Sequence, residues 1–284
     1  MRRIWSFSSN RGSNERMTAS PTDPRWDSGF PEARVSMNAE IGESVSIGPG
    51  SVVYDNVSIG DGTKIGEFCV LGHEGPGPSS KLKIGRNSII RSHSVLYSSS
   101  EFGDRLETGH HVVIRERTVA GANLRVGNFC DIEGDSSFGD YCRLHGYAHV
   151  GKGTEIGHFV WLFSLTTATN DPLPPSMISA PVKIGDGAVV CVGVTMMPGT
   201  SIGKGAFVSA GAQACGIIPP GAVVAGHEGK IVSHVSGLIH FESGTRHPWM
   251  RHFDRGYPPE ALVRLQQLKD EVLATRNDLV LSHP

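Results

Sequence analysis

Charge and aromatic rings are both scarce in this chain. Of 284 residues, 19% are charged and 7% aromatic, and the formal net charge is −2. Average chains carry about 25% charged residues. A balance so close to neutral lacks the basic face that nucleic-acid binding requires. No apolar run reaches the ~18 residues of a membrane-spanning helix. Neither nucleic acid nor a membrane is therefore an expected partner. Cysteine is also sparse: there are five, an odd number, with no C-x-x-C pair. That argues against a disulfide framework and against a structural zinc site. The N-terminus, MRRIWSFSSNRGSNERMTAS, has basic residues but no apolar h-region. No secretory signal is read there, and a cytoplasmic protein is expected.

What is abundant is glycine, 36 residues, and it recurs with a period. Every sixth residue from Ile84 to Leu162 is apolar except Thr108; the run includes Ile90, Leu96, Ile114, Val126, Ile132, Leu144, Val150 and Ile156. The same step runs upstream through Ile41, Ile47, Val53, Ile59, Ile65 and Leu71, and downstream through Ile184, Val190, Met196, Ile202 and Val208. Call each such position i. Position i+1 is often Gly, as at Gly42, Gly60, Gly85, Gly103, Gly127 and Gly185, and i+4 is usually small or β-branched.

Positions i+4 and the next i lie two apart, so on a short strand they share one side. Six is not a helical period, and one strand face cannot bury itself alone. Coils must therefore stack, each pairing its strands with the next. Three hexads closing a coil give 18 residues and a narrow prismatic core. Glycine at i+1 is expected to loosen the backbone where it leaves strand geometry.

The period bounds the domains. Residues 1–38, rich in Ser, Asn, Arg and Pro, predict a disordered or loosely attached arm. Residues 39–231 predict the solenoid, with loops thrown out at 73–83 and 166–181 where the register breaks. Residues 232–284 predict an extension with a helix near 258–275. Pro at its start suits the first helical position, and Leu262, Leu265, Leu268 and Val272 form its apolar stripe.

The register also sorts the polar residues. Hexads starting at 90, 108, 126, 144 and 162 stack on one face, which carries His93, His110, His111, Asn128 and His145. His93 and His111 should be vertical neighbours at about 4.8 Å, with His145 roughly 10 Å beyond the 110–111 pair. His149 follows at a corner, and His158 lies on another face. The loop bearing Thr169, Asn170 and Asp171 is read as leaving from the Leu162 hexad. Long loops on rigid scaffolds are where function tends to sit. Cys69, Cys130 and Cys142 occupy i+4 and read as core; Cys191 and Cys215 read as outward.

The pattern [Ile/Leu/Val]-Gly-x-x-[small]-x over residues 39–231 resembles the hexapeptide-repeat acyltransferases. The resemblance implies an all-β solenoid, a left-handed parallel β-helix with a short C-terminal α-helix, assembled as a homotrimer. Two segments sharpen it. Thr108-Gly-His-His-Val-Val-Ile-Arg-Glu116 resembles a stretch of the family's sugar acetyltransferases. Thr169-Asn170-Asp171 resembles the loop of the branch that acetylates amino groups on nucleotide-linked sugars. The resemblance implies an acyl-CoA-dependent acyltransferase, with acetyl-CoA as co-substrate and no metal. His145, Asn170 and His110 then become candidate catalytic residues. His111, Asp171, Thr169 and Asn128 become candidates for acceptor binding. The terminal coil, Ile217-Ile-Pro-Pro-Gly-Ala-Val-Val-Ala-Gly226, also resembles the family's last coil. Gly193, Ala210 and Gly211 would let pantetheine approach the backbone, and Lys204 and Lys230 would meet phosphates. Three alternatives stay open: O-acylation or a longer acyl chain on the same fold, a β-helix carbonic anhydrase with zinc on His93, His111 and His145, and a non-catalytic scaffold.

Overall fold

A computed structural model describes residues 29–239, 244 and 256–278. Most of the expected N-terminal arm lies outside these residues. Strands of mostly two residues alternate among three sheets. Face I begins with Arg34–Val35, face II with Glu40–Ile41 and face III with Ser46–Ile47. The three faces hold ten, ten and eleven strands. Successive coils pair in parallel with an 18-residue offset, as in Val95↔Val113, Ser137↔Glu155 and Arg125↔Arg143. The fold is the expected left-handed parallel β-helix with one C-terminal helix among the described residues.

The hexad explains the core. Residues at i point inward: Ile114, Ile132, Val150 and Leu162 are fully buried. So are the i+4 residues Ser94, Val112, Ala148 and Thr154. Each buried aliphatic side chain stabilises by about 1.5–3 kcal/mol. Polar i+4 hydroxyls are mostly paired: Ser94 Oγ donates to Arg91 O at 2.8 Å and Ser136 Oγ to Glu133 O at 2.9 Å, whereas buried Thr166 Oγ1 has no partner among the described residues. Thr108, the polar exception at i, is fully buried and accepts the Arg91 N–H at 3.1 Å. Cys69, Cys130 and Cys142 are buried as read, while Cys191 is partly buried and Cys215 exposed.

The role expected for Gly at i+1 is corrected. The left-handed backbone conformation occurs three residues after each core position, at His93 (φ 62°), His111 (56°), Phe129 (57°) and Tyr147 (63°). Gly85, Gly103 and Gly127 have no positive φ. Their requirement is space. A Cβ on Gly85 would lie 2.4 Å from the carbonyl carbon of Gly103 on the next coil. The corner turns at i+3, and the coils touch at i+1.

The two insertions both leave at the corner between faces I and II. Ile59 pairs with Ile84 and Ile156 with Ile184, offsets of 25 and 28 rather than 18, so the coils carry seven and ten extra residues. The second insertion starts after strand Thr167–Ala168, which belongs to face I and pairs with His149–Val150. It does not leave from the Leu162 hexad, because that coil completes one more strand first.

The helix α1 (Pro259–Ala274) packs on its own β-helix. Its buried stripe is Ala261, Leu265, Leu268 and Val272, whereas Leu262 is 38% exposed. Ala261 takes the place expected for Leu262, since the stripe advances by four and then three. The helix sits on the corner between faces II and III. There Leu268 and Val272 occupy the space that side chains on Gly187 and Gly205 would fill. Among the described residues, no helix is long and apolar enough to cross a membrane.

Three outcomes are expected. Gly85→Ala should lower the unfolding free energy by about 1–3 kcal/mol through overpacking of adjacent coils; a wild-type melting curve would refute the close-approach account. Leu265→Ala should cost about 2–5 kcal/mol. Leu262→Ala should stay within roughly 0.5 kcal/mol, as read by urea titration.

Candidate active site on the third face

Face III presents its outward strand positions as a column: Ile89, Glu107, Arg125, Arg143, Trp161, Val189 and Phe207. The corner that follows, between faces III and I, stacks rings at i+3. Phe68, His93, His111, Phe129 and Tyr147 succeed one another at centroid separations of 5.2, 4.6, 4.9 and 5.1 Å. The vertical neighbours read from the register are therefore present. Between the column and the corner lies an open cavity of about 670 Å³, lined by His145, Asn128, Tyr147, Phe129, Trp161, Arg91, Arg125 and Arg143 among others.

His145 is the ring best placed for chemistry. It is half-buried and stacks on Phe163 at 4.5 Å, with Trp161 at 5.8 Å. Burial holds its pKa below the ordinary 6.5, so the imidazole is neutral at physiological pH and can accept a proton. Trp161 is fixed in turn, its Nε1–H donating to Tyr257 Oη at 2.7 Å.

The remaining candidates separate into groups. Asn128 shares the cavity, but its Oδ1 accepts the His110 N–H at 2.8 Å. His110 is exposed, and its Nδ1 meets Ser92 Oγ at 2.8 Å. His111 is a rung of the ring stack. Thr169, Asn170 and Asp171 are not among the residues lining this cavity. Their loop springs from the corner between faces I and II, a full prism side from His145. The expectation that imidazoles and loop share one wall of the chain is thereby corrected. Thr169 Oγ1 donates to Met196 O at 2.9 Å. Asp171 organises its own loop, accepting from Leu173 N at 2.9 Å, Ser176 N at 2.8 Å and Ser176 Oγ at 2.5 Å. Those bonds hold its carboxyl below the usual range. Of these three loop residues, Asn170 has no side-chain hydrogen-bond partner among the described residues; its backbone oxygen accepts from Ala180 N at 2.7 Å.

Gly193, Ala210 and Gly211 lie on the corner between faces III and I, above Leu165. A Cβ on Gly193 or Gly211 would meet nothing within 4 Å, so this stretch is open backbone. Lys230 begins the strand Lys230–His234, paired with Ala225 on face III, and bonds Glu228 at 2.9 Å. Lys204 is elsewhere. It sits on the corner between faces II and III, 3.2 Å from Glu271 of α1 and 3.9 Å from Asp186. It cannot serve the same bound molecule within one chain, because the hexad that carries it belongs to face II.

The proposed zinc trio does not assemble within the chain. His93 and His111 lie ring on ring at 4.6 Å rather than converging, and His145 stacks on Phe163. Among the described residues no three His, Cys, Asp or Glu groups converge on a metal position.

No motif singles out the cavity-lining residues Arg125, Arg143 and Trp161, although their register is readable in the sequence. They occupy the position before i in successive hexads of the His145 face, 18 residues apart.

A pair of histidines gives a pH test. Asp131, 3.2 Å from His149 Nδ1, raises the His149 pKa, whereas burial lowers that of His145. The His149–Asp131 pair stabilises fully below the unfolded pKa of 6.5 and loses this as pH rises through the raised folded value. Burying His145 costs stability only as pH falls below 6.5 and the unfolded chain takes up its proton first. In NMR titrations His149 should therefore have its midpoint above 6.5 and His145 below it; the reverse order would overturn the assignment.

Comparison with known proteins agrees with this architecture. Residues 38–73 match the family model described as bacterial transferase hexapeptide (six repeats). The chain is 31% identical over 192 residues to the bifunctional protein GlmU of Exiguobacterium sp. (strain ATCC BAA-1283 / AT1b), covering 66% of this chain and 40% of that one. It is 31% identical over 186 residues to GlmU of Geobacillus sp. (strain WCH70), covering 64% and 38%. The chain thus spans about two fifths of these curated relatives. Among solved structures, an Arabidopsis UDP-N-acetylglucosamine acyltransferase has a TM-score of 0.48 at 16% identity, covering 89% of this chain and 98% of that one. The hexapeptide repeat matched over residues 38–73 is thus part of the repeat that winds the three stacked faces.

Proposed function

We propose that the chain is an acyl-CoA-dependent acyltransferase that carries acetyl from acetyl-CoA to the amino group of a nucleotide-linked sugar. The observation that carries this reading is His145: a half-buried imidazole, kept neutral by burial, in a cavity of about 670 Å³ on a transferase-type hexapeptide scaffold. The acceptor amine attacks the thioester carbonyl carbon. A C–N bond forms, and the carbonyl electron pair moves to oxygen. His145 takes the proton from the developing ammonium. The tetrahedral oxyanion is met by hydrogen-bond donors, for which the unbonded Asn170 amide is our candidate. Collapse breaks the C–S bond, and the CoA thiolate recovers the proton through His145.

Because the Asn170 loop and His145 stand at different corners of one chain, this reading requires a homotrimer in which one protomer's loop reaches its neighbour's face. Holding amine and thioester in one groove supplies much of the rate. Pantetheine runs along the open Gly193–Gly211 corner, with Lys230 at its phosphate end. Asn128 and His111 lie on the acceptor side, and His110 orients the segment through Ser92.

The test uses two variants. His145→Ala should lower acetyl transfer by about 10²–10⁴-fold, and Asn170→Ala by about 10²-fold or more. Unfolding and refolding the two inactive variants together should restore a substantial fraction of wild-type activity, since mixed trimers contain intact sites. Wild-type rates in both variants remove the assignment. Inactive mixtures show that His145 and Asn170 do not meet across a protomer boundary. A panel of hydroxyl acceptors and longer acyl-CoAs reads the O-acyl and long-chain alternatives directly.

A further inference from the structure

Three arginines, Arg91, Arg125 and Arg143, are among the residues that line the His145 cavity. Glu107, Arg125 and Arg143 pair directly in adjacent strands of face III. Like charges placed opposite one another weaken a sheet, so this column is costly to the fold. One carboxylate serves it. Glu107 bonds Arg91 at 2.7 Å and Arg125 at 3.2 Å.

Arg143 has no carboxylate partner among the described residues, yet it is only 6% exposed. Burial pulls its pKa down to about 10. Four of its N–H groups donate to neutral acceptors: Asn123 O, Asn123 Oδ1, Cys142 O and Gly256 O. The ring of Tyr257 lies 4.6 Å from its guanidinium carbon. The fifth donor, Nε–H, has no acceptor among the described residues and is not sealed from solvent. Carbonyl groups alone would be served by a neutral donor. A buried guanidinium kept beside a second guanidinium, in a cavity, is an arrangement completed by an anion.

We propose that this column is the seat of a diphosphate, the one that joins nucleotide to sugar in the acceptor; the identification of the bearer rests on the transferase reading above. Three cations against Glu107 leave two positive charges, matching the two negative charges of a nucleotide diphosphate-sugar. Guanidinium forks fit phosphate oxygens in pairs. Trp161, Tyr147 and Phe129 line the same cavity and offer faces on which a sugar or base can lie. The sugar amine then falls towards His145, which continues the column on the following corner.

CoA also carries a diphosphate, so the experiment separates the two sources. Calorimetry with inorganic pyrophosphate on the full-length protein should show saturable binding. UDP should displace it, and 3′-phospho-ADP, the anionic end of CoA, should not. Arg125→Gln changes a side chain that is 44% exposed, and should weaken pyrophosphate by about tenfold or more, while Arg125→Lys, which keeps the charge but loses the fork, should weaken it less than Gln does. The acceptor KM should rise in Arg125→Gln with little change in kcat. Displacement by 3′-phospho-ADP as strong as by UDP, or unchanged pyrophosphate affinity in Arg125→Gln, overturns the proposal. Should the Gln variant melt early, a salt series on the wild type decides: affinity that does not fall with salt overturns it. Pyrophosphate binding that survives while transfer proves independent of His145 would sink the transferase reading and leave the anion seat standing.

Discussion

The contact between one coil's backbone and the next is the constraint on which this molecule depends. Hydrogen bonds such as Gly127 N to Leu144 O at 2.7 Å and His145 N to Leu162 O at 2.8 Å tie each coil to its successor. They fix the 18-residue offset, and the offset puts every side chain at an address. A change at the coil-to-coil contact is therefore felt along a whole column. A strand of two residues would be worthless alone; ten of them in register form a sheet. Function then needs no special element. It needs a polar side chain at the same address on consecutive coils.

Much of this was legible in the residues. The core followed from i and i+4, and Thr108 kept its core position because a backbone N–H uses its hydroxyl. The His93–His111 stack followed from a spacing of 18. The site was only half legible. Register places His145 beside the face III strands, whereas the Asn170 loop, read as leaving from the Leu162 hexad, leaves one corner later. A register break in a sequence shows that residues were inserted without showing after which strand. Ala168 reads equally well as loop or as a core i residue, and only its pairing with Val150 settles it. The arginine column was hidden for another reason. Outward strand positions carry no hydrophobic signal, so charge there reads as solvated surface until a neighbouring segment covers it.

That covering segment is the short stretch just before α1. Gly256 O bonds Arg143, and Tyr257 lies over its guanidinium while receiving the Trp161 N–H. The C-terminal extension is thus joined to the cavity wall at one end and to the glycine-lined corner of Gly187 and Gly205 along its length. Burial pushes the Tyr257 phenol up to about 12, so this hydroxyl remains a neutral relay between Trp161 and Tyr141 O across the working pH range. Helix docking and the shape of the cavity are one energetic unit.

The last strand, Lys230–His234, runs antiparallel to Ala222–Ala225, against the direction of every other pairing. An incoming coil would have to add parallel to the strand it meets, and on face III it finds a reversed edge instead. The stack is thereby closed on one of three sides. Face II still ends on Ile217–Ile218, where Ile217 is 85% exposed. Head-to-tail fibre growth, a standing hazard for any solenoid with open ends, is obstructed by a single reversal of chain direction, and the protein can remain a particle of defined length.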